Sequence, residues 1–490
     1  MNILLVVSDQ ERERSWLPAS VSLPWRERLL ADGLEFANHF THSSPCSPSR
    51  STMMTGRYLP GHGVVDNCIF DHHVSLDTSI PTIGSVLRDA GWRSSYIGKW
   101  HLTVGPTPPM EAYGYSDWEG NDRHFMGWAG TGVAFDPVIA DSAAAWLRAN
   151  ASPASSSGGA AQPWFLTVAL VNPHDVMWFP IDQPAWRDTH PDALADARAL
   201  LEMSRWKDDE TLPAYERDYP EVVESLPANF HDDLHTKPDA HRAWRWSQQH
   251  GIWGYIDPSD TASWLRHLDY YVELQRRADD SLGVVLSALE ESGAWDDTAI
   301  IFTSDHGDMC GSHGLRSKGP FMYDEIMRVP FYVRVPGVTA PGSRTTALSS
   351  HVDIANTICA LAGVAPDPGM QGVDVLSPST ARDEVLFAHD SAHTSIVMQT
   401  RYALRGFFDG RYKYARYYGI GGGKPGDDPF YKRPTEKLYG VDADFDDQDH
   451  ELYDIQEDPH ELVNLANDPA RRNDVRNFYA RLKSLESTHF

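Results

Sequence analysis

Short apolar runs rich in β-branched residues alternate along the chain with segments whose apolar residues recur every three or four positions. The runs have the length of buried strands, and the second spacing is that of amphipathic helices. Because the two patterns alternate, we predict an α/β fold built on a doubly wound sheet. The strand candidates are residues 3–7, 94–97, 164–171, 298–303 and 330–335.

Two helices are predicted from single apolar stripes. One lies around 268–289, and the other lies over 80–89 with Gly91 just beyond its end. Glycine commonly follows the last turn of a helix because it adopts left-handed backbone angles without strain. Residues 178–260 are rich in Trp, Asp, His and Pro and have weak periodicity, which predicts an irregular insertion over the sheet. We expect the eight tryptophans of 164–264 to pack the insertion onto the core, and an aromatic wall for a ligand is the alternative.

The C-terminal part of the chain has a different pattern. Helical periodicity ends near 365–380, and alternating aromatic runs at 403–416 and an amphipathic segment at 468–488 follow. Alternation indicates strands with one buried face, and the last segment indicates a helix. We therefore predict a catalytic domain over 1–370 and a smaller C-terminal α+β subdomain over 371–490.

Composition excludes several classes of protein. The chain has 490 residues, 41% of them hydrophobic and 23% charged, and a formal net charge of −27. A surface this acidic repels nucleic acid and anionic membranes, so neither is an expected partner, and an anionic ligand needs a local basic pocket. No apolar run reaches the roughly 18 residues of a membrane helix, and the N-terminal run is too short for a signal peptide. We therefore expect a cytoplasmic protein.

Cys46 differs in context from the other cysteines. The chain has four cysteines, which are far apart and form no C-x-x-C pair: Cys46, Cys68, Cys310 and Cys359. This spacing argues against a disulfide or zinc framework, and a single cysteine is usually a small buried residue. However, Pro48 suits the first turn of a helix and Gly56 suits its end. Cys46 would then lie at a helix N-terminus, which favours an anion, with the charge of Arg50 one turn on.

Polar clusters directly follow four of the predicted strands. The clusters are Ser8-Asp9-Gln10, Gly98-Lys99-Trp100-His101, Asn172-Pro173-His174 and Ser304-Asp305-His306. In open α/β sheets, ligands bind outside the carboxyl ends of the strands. We therefore expect these side chains to line one functional site.

Several segments resemble the signatures of the type I sulfatase family, and together they extend over nearly the whole chain. The matching segments are Cys46-x-Pro48-x-Arg50 followed by Thr55-Gly56-Arg57, Gly91–His101, Ser304–Asp308 and Glu451–Asp454. The first of them is similar to the family's formylglycine signature. The resemblance implies an alkaline-phosphatase-like fold, with a mixed sheet between helices on both faces and an antiparallel sheet in the C-terminal subdomain.

The resemblance implies that Cys46 is oxidised to formylglycine by a formylglycine-generating enzyme during maturation. The hydrated aldehyde would then attack the sulfur of a sulfate monoester. The sulfated intermediate would expel sulfate by regenerating the aldehyde, which divides one difficult displacement into two easier steps. The implied substrate is a small aryl, alkyl or sugar sulfate. The natural substrate stays open, as does the oligomeric state, a homo-oligomer included.

The resemblance also implies a divalent metal ion, held by Asp9, Gln10, Asp305 and His306. Such an ion neutralises the ester oxygens and lowers the pKa of the hydrated aldehyde. Oxygen ligands favour Ca²⁺, whereas the imidazole of His306 makes Mn²⁺ the alternative.

Other residues of the site are implied by the same resemblance. Lys99 and Lys318 would bind sulfate oxygens and stabilise the charge that develops in the transition state. His174 would protonate the leaving alcohol, and His101 would act as a base in the breakdown of the intermediate. Asn67 would contact a substrate oxygen, and a plain turn residue is the alternative at that position.

Two other functions remain open. Gln10 and His306 depart from the commonest sulfatase ligand set and resemble the branch of choline sulfatases and phosphonate monoester hydrolases. A phosphonate or phosphodiester hydrolase with the same nucleophile is therefore the first alternative. Lys99 and His101 favour the sulfatase, because the phosphonate hydrolases carry non-basic residues at these positions. An inactive binding protein on the same fold is the second alternative, and the retained nucleophile, ligands and basic residues argue against it.

Overall fold

An eight-stranded mixed sheet lies at the centre of the computed structural model. Its strands are β1 (Asn2–Asp9), β2 (Leu34–Phe40), β3 (Arg93–Gly98), β4 (Ser116–Glu119), β5 (Trp164–Pro173), β6 (Thr298–Ser304), β7 (Phe331–Arg334) and β8 (Ser343–Ser350). They lie in the order β4-β3-β5-β1-β6-β7-β2-β8, with β1 parallel to both of its neighbours and β7 antiparallel to both of its own. The structure describes residues 1–69, 73–104, 109–119, 130–151, 162–182, 219–250, 254–390, 392–395, 398–419 and 443–490.

The side chains of the central strand enter two separate cores. Ile3, Leu5 and Val7 lie in the core on one face of the sheet, and Leu4 and Val6 lie in the core on the other. A strand that is buried on both faces has a continuous apolar sequence, which is the pattern of this segment. Helices Cys46–Thr55, Ile83–Asp89 and Val352–Ala362 cover the first face, and helices Pro24–Asp32, Thr131–Asn150 and Thr261–Glu291 cover the second. The predicted doubly wound sheet with helices on both faces is confirmed.

A second, antiparallel sheet of five strands forms the C-terminal part of the fold. Its strands are β9 (Val385–His389), β10 (Ala392–Ser395), β11 (Met398–Phe408), β12 (Tyr412–Gly419) and β13 (Asp449–Asp454). Helix Arg472–His489 packs on one face of this sheet through Val475 and Leu482. The other face packs on the main part of the molecule, where Tyr453 lies in one core with Tyr323. The predicted C-terminal antiparallel sheet is confirmed, and the boundary at residue 370 stays a prediction.

The structure adds strands that no apolar run indicates. The predicted helices around 268–289 and 80–89 are found as Thr261–Glu291 and Ile83–Asp89, whereas β2, β4 and β8 were not predicted. β4 and β8 are the two edges of the large sheet, and only two of the eight residues of β8 are buried. An edge strand buries little surface, so its sequence has no need of a long apolar run.

Part of the predicted irregular insertion is regular. It contains helix Asp239–His250, whose Trp244 packs in the core between the two sheets. Trp178 and Trp264 are buried as well, as the packing interpretation expects. Trp186, Trp206 and Trp253 lie outside the described residues. Across the part of the chain that the structure describes, no helix combines the length and the apolar character that crossing a membrane requires.

We expect Glu486→Ala to lower the free energy of unfolding by about 3–5 kcal/mol, because it removes the carboxylate from a buried ion pair. Glu486 lies on the C-terminal helix and accepts two hydrogen bonds from the fully buried Arg416, at 2.9 and 2.8 Å. Chemical denaturation would measure the loss. Arg472→Ala is the control, since Arg472 pairs with Asp446 in solvent and should cost less than about 1 kcal/mol. Equal losses in the two variants would contradict the prediction.

Candidate active site

Four parallel strands of the central sheet end at one edge, and a polar residue stands at or just after each end. β1 ends at Asp9, and β6, β5 and β3 are followed by Asp305, His174 and Lys99. These strands are neighbours in the order β3-β5-β1-β6 and run parallel, so their carboxyl ends meet. The polar clusters predicted from sequence therefore lie together in one site.

Cys46 is the first residue of its helix and is fully buried beside this edge of the sheet. The Oδ1 atom of Asn67 accepts a hydrogen bond from the backbone N–H of Ser47 at 3.0 Å, so Asn67 caps the helix next to Cys46. The role of Asn67 in binding substrate stays a prediction. Burial, and after it the charge of Asp9, raises the pKa of the Cys46 thiol to about 11.

Two cations neutralise the two carboxylates of the site. The Nη2 atom of Arg50 lies 2.8 Å from Asp9, and its Nε atom lies 2.9 Å from Asp305. The ammonium group of Lys99 lies 2.7 Å from Asp9. All four side chains are almost completely buried, so each charge is stabilised by its ion-pair partners in place of water. Burial alone would raise the pKa of Asp9, but Lys99 and the other nearby cations hold it well below its usual range.

A group of four buried side chains fits a divalent cation. The Nδ1 atom of His306 lies 2.9 Å from the carbonyl oxygen of Gly307. A carbonyl only accepts hydrogen bonds, so Nδ1 carries the proton, and Nε2 turns its lone pair toward Cys46 Sγ, at 3.3 Å. The donor atoms of Asp9, Cys46, Asp305 and His306 all lie within 4.8 Å of one another. Two carboxylates and an imidazole in this tautomer are an established kind of donor set for divalent metals.

Gln10 connects Lys318 to the group that could hold a metal ion, which consists of Asp9, Cys46, Asp305 and His306 and is called the ligand group below. Its side-chain oxygen accepts a hydrogen bond from the Lys318 ammonium, and its side-chain nitrogen donates to the Asp308 carboxylate. Its backbone N–H donates to Asp305 Oδ1 at 3.0 Å. Lys318 also lies 3.4 Å from the sulfur of Met177. An amide oxygen has two lone pairs, so Gln10 stays a predicted metal ligand while it also orients Lys318.

His174 and His101 complete the site. The Nε2 atom of His174 lies 4.0 Å from Asp9 Oδ1, and the backbone carbonyl of His101 accepts a hydrogen bond from the Ser47 hydroxyl beside Cys46. Burial lowers the pKa of both imidazoles, and the nearby lysine ammonium groups lower it further. A bound ester anion has the opposite effect, because negative charge favours the protonated imidazole.

Gln10 and His101 both have left-handed backbone angles, with φ of 69° and 57°. Such angles cost of the order of 1–3 kcal/mol in a residue with a Cβ atom, and they cluster at functional sites. Each of these residues follows the end of a strand, β1 or β3. The strained backbone therefore turns the chain sharply at the edge where the site lies.

The site also contains side chains that the sequence analysis missed. The carboxylate of Asp308 accepts two further backbone N–H groups, at 2.7 and 3.1 Å, in addition to the Gln10 amide. The Ser49 hydroxyl donates to the backbone carbonyl of Asp305. Asp308 and Ser49 lie inside the segments that resemble family signatures, so their sequence position could have indicated that they belong to the site. Met177 has no such signal, because only the fold brings it to Lys318.

Comparison with known proteins matches the chain over most of its length. The profile of the family described as Sulfatase matches residues 1–364, and that of "N-sulphoglucosamine sulphohydrolase, C-terminal" matches residues 311–421. The Escherichia coli (strain K12) protein named "Uncharacterized sulfatase YidJ" is 26% identical over 379 residues, which are 73% of this chain and 66% of that protein. The chain thus spans just under two thirds of the length of this relative.

Two solved structures share the fold over the whole chain. A 2-O GAG sulfatase superposes with a TM-score of 0.71 at 19% identity, covering 100% of this chain and 92% of that one. The phosphonate monoester hydrolase of Agrobacterium radiobacter superposes with a TM-score of 0.69 at 21% identity, covering 100% and 96%. Similarity at this level of identity establishes architecture, and it confirms the predicted alkaline-phosphatase-like fold.

Proposed function

The chain belongs to the sulfatase family, and from this premise we propose that it hydrolyses a small sulfate monoester with a nucleophile made from Cys46. One observation carries the proposal. Cys46 lies at a helix N-terminus within 4.8 Å of the donor atoms of Asp9, Asp305 and His306, and the Lys99 ammonium is 4.0 Å from its sulfur. A nucleophile, a metal-ligand set and an anion-binding cation therefore meet at one buried point.

The unmodified thiol is unsuited to this role, which supports the conversion of Cys46 to formylglycine. Without a bound metal ion, a thiol with a pKa of about 11 would be almost entirely protonated at neutral pH, and the thiolate is the nucleophilic form. A hydrated aldehyde carries two hydroxyl groups, of which one attacks and the other allows the aldehyde to form again. The maturation partner that we propose is a formylglycine-generating enzyme.

Asp9, Asp305 and His306 would hold a divalent metal ion, with the side-chain oxygen of Gln10 as a further ligand. When bound, such an ion neutralises charge on the ester oxygens and lowers the pKa of the nucleophile. The predominance of oxygen donors favours Ca²⁺, and the imidazole makes Mn²⁺ the alternative. Arg50 forms ion pairs with both Asp9 and Asp305 and so keeps the two carboxylates in place.

The cations of the site would bind the ester and its developing charge. We assign Lys99 and Lys318 to the sulfate oxygens, His174 to protonation of the leaving alcohol, and His101 to proton removal in the second half of the reaction. The arrangement supports these roles, since Lys99 and His174 approach the buried Asp9 together, 2.7 and 4.0 Å away. Asn67, at the start of the Cys46 helix, would contact a further substrate oxygen.

A phosphonate or phosphodiester hydrolase is the second candidate function. The observation that favours it is the imidazole of His306 among the candidate metal ligands, together with the side-chain amide of Gln10 between Lys318 and Asp308. Lys99 and His101 favour sulfate by resemblance, because sulfatases keep basic residues at these positions and the phosphonate hydrolases carry non-basic ones.

We expect kcat/KM on 4-nitrophenyl sulfate to exceed that on 4-nitrophenyl phenylphosphonate by at least about tenfold. A sulfate ester presents three oxygens to the basic residues, whereas the phosphonate replaces one oxygen with a carbon substituent and leaves a buried donor unpaired. Both substrates release the same phenol, so parallel assays of metal-loaded enzyme compare sulfur with phosphorus directly. A higher efficiency on the phosphonate would establish the second candidate instead.

Peptide mass spectrometry across residues 46–50 tests the nucleophile separately. Protein produced together with a formylglycine-generating enzyme should show the aldehyde or its hydrate at Cys46. An unmodified thiol in such a preparation that turns over sulfate esters would contradict the proposed nucleophile.

A further inference from the structure

The end of β5 departs from regular pairing just before His174. β1 and β5 pair residue by residue as far as Val7 and Ala169, but the next pair is Asp9 with Pro173. Between these two pairs the chain moves on by four residues in β5 but by only two in β1, so β5 contains a bulge. Bulges redirect the chain and its side chains, and they are frequent beside active sites. The bulge turns the chain toward Asp9 where His174 begins.

A buried carboxylate accepts the backbone N–H groups of this bulge. Asp136 Oδ1 accepts the N–H of Val171 at 2.7 Å, and its Oδ2 accepts the N–H of Asn172 at 2.9 Å. Asp136 belongs to helix Thr131–Asn150, which packs on this face of the sheet. The carboxylate thereby replaces the strand partner at this point and fixes the bulged backbone to the helix.

A second buried carboxylate makes the reciprocal contact. Helix Thr131–Asn150 starts after Gly130, which has no side chain to cap it. Instead, Asp175 accepts the N–H groups of Gly132 and Val133, at 3.2 and 3.0 Å. Two of the N–H groups that a helix start leaves unpaired are satisfied in this way by the residue that follows His174. Chain and helix are therefore tied together on both sides of the histidine.

The packing between these two ties leaves no space. A Cβ atom on Gly132 would lie 2.4 Å from Asn172 Cγ, so glycine is required for this close approach. Burial raises the pKa of both carboxyl groups, and the backbone N–H groups that they accept act against that rise, because these hydrogen bonds favour the ionised form. Burying two carboxyl groups is costly, which indicates that the backbone geometry they fix is needed.

Hydrogen bonds do little to orient the His174 ring. Its Nδ1 atom is buried and has no hydrogen-bond partner among the described residues, and its Nε2 atom lies 4.0 Å from Asp9. A catalytic histidine is commonly oriented by a hydrogen bond to its second nitrogen. Here the orientation depends on the backbone on either side of the residue.

We propose that Asp136 and Asp175 are positioning residues that clamp the backbone around His174 and so aim its imidazole at the leaving-group oxygen. The proposal deepens the proposed function, because it rests on His174 as the proton donor. Neither carboxylate is assigned contact with the ester. Their effect should therefore be confined to the step in which the leaving group takes a proton.

The variants Asp136→Asn and Asp175→Asn should each lose more activity on a sulfate ester with a more basic leaving group. Each carboxylate accepts two backbone N–H groups. An amide keeps one acceptor oxygen but turns an NH₂ group toward the second N–H, so one of the two hydrogen bonds is lost. We expect kcat/KM to fall less than about threefold on 4-nitrophenyl sulfate and at least about tenfold on 4-methoxyphenyl sulfate, whose phenolate needs the proton. His174→Asn should show the same dependence, and more strongly. Asp141→Asn is the matched control, since Asp141 is exposed on the same helix and should behave as wild type.

A uniform loss on both sulfates, or no loss on either, would overturn the clamp. A crystal structure of Asp175→Asn decides the matter independently of turnover, because the imidazole should have moved away from Asp9, and an unmoved ring refutes the proposal. If the wild type cleaves no sulfate ester, the proposed function fails while this structural result still decides the clamp. Should neither Asn variant fold, Gly132→Ala disturbs the same contact through its added methyl group and must give the same leaving-group dependence.

Discussion

A Cys46→Ala variant is expected to lose at least about 10⁴-fold in kcat on 4-nitrophenyl sulfate while it keeps its fold. The side chain that is removed lies 3.3 Å from His306 Nε2 and 3.8 Å from Asp9 Oδ1, so the nucleophile disappears from the middle of the ligand group. Alanine is smaller than cysteine and suits a helix, so the change introduces no overlap. The loss should therefore report the nucleophile itself. Steady-state kinetics with thermal unfolding on the same sample measures both parts of the expectation.

Cys359→Ala provides the matched control for this variant. Cys359 is also fully buried and also lies in a helix, Val352–Ala362, but it is not among the residues of the site. Its replacement should leave kcat within about twofold of wild type. Undiminished turnover by Cys46→Ala would place the nucleophile elsewhere in the chain, and an equal loss in both variants would attribute the effect to stability.

The main architecture could be predicted because the central strands are buried on both faces. β1, β5 and β6 have continuous apolar sequences for this reason, and each was found where its run indicated. β2 was missed because polar side chains interrupt its pattern. His39 on β2 stacks on Phe331, and its Nδ1 atom contacts the Ser349 hydroxyl at 2.9 Å, so a polar residue fills a core position. No periodicity in the sequence indicates that outcome.

The centre of the site could be predicted because parallel strands bring their carboxyl ends to one edge. This rule alone places Asp9, Lys99 and Asp305 together, and the structure joins all three through direct contacts and Arg50. The roles of all the predicted site residues stay predictions, the ligation of a metal ion included. The geometry brings these residues to the site without testing what they do there.

The supporting contacts could not be predicted, because they join residues that are distant in sequence. Asp136 meets the end of β5 across 35 residues, and Asp308 meets Gln10 across 298. A buried aspartate that accepts backbone N–H groups resembles an ordinary turn or cap residue in sequence. Local indications existed for two of these residues, since Asp308 lies inside a segment that resembles a family signature and Asp175 directly follows the predicted His174.

The second large effect is expected from Asp9→Asn, which should weaken binding of a divalent cation by at least about 100-fold and destabilise the metal-free protein by about 3–5 kcal/mol. The first loss follows because one of the two carboxylates of the ligand group is neutralised. The second follows because the Lys99 ammonium, which is fully buried, loses its partner at 2.7 Å. Arg50 keeps its contact with Asp305, so the fold should survive.

Titration calorimetry with Ca²⁺ and Mn²⁺, and denaturation in the presence of a chelator, separate these two effects. Asp141→Asn removes an equal charge from an exposed position and should change neither quantity. If Asp9→Asn binds the cation as tightly as wild type, Asp9 is not a ligand, whatever its effect on stability. If the chelated variant is as stable as chelated wild type, the ion pairs around Asp9 contribute nothing net. Arg50 and Lys99 are the cations that neutralise the two buried carboxylates in the metal-free protein. If their ion pairs contribute nothing net, the metal ion is the group that stabilises this edge of the sheet.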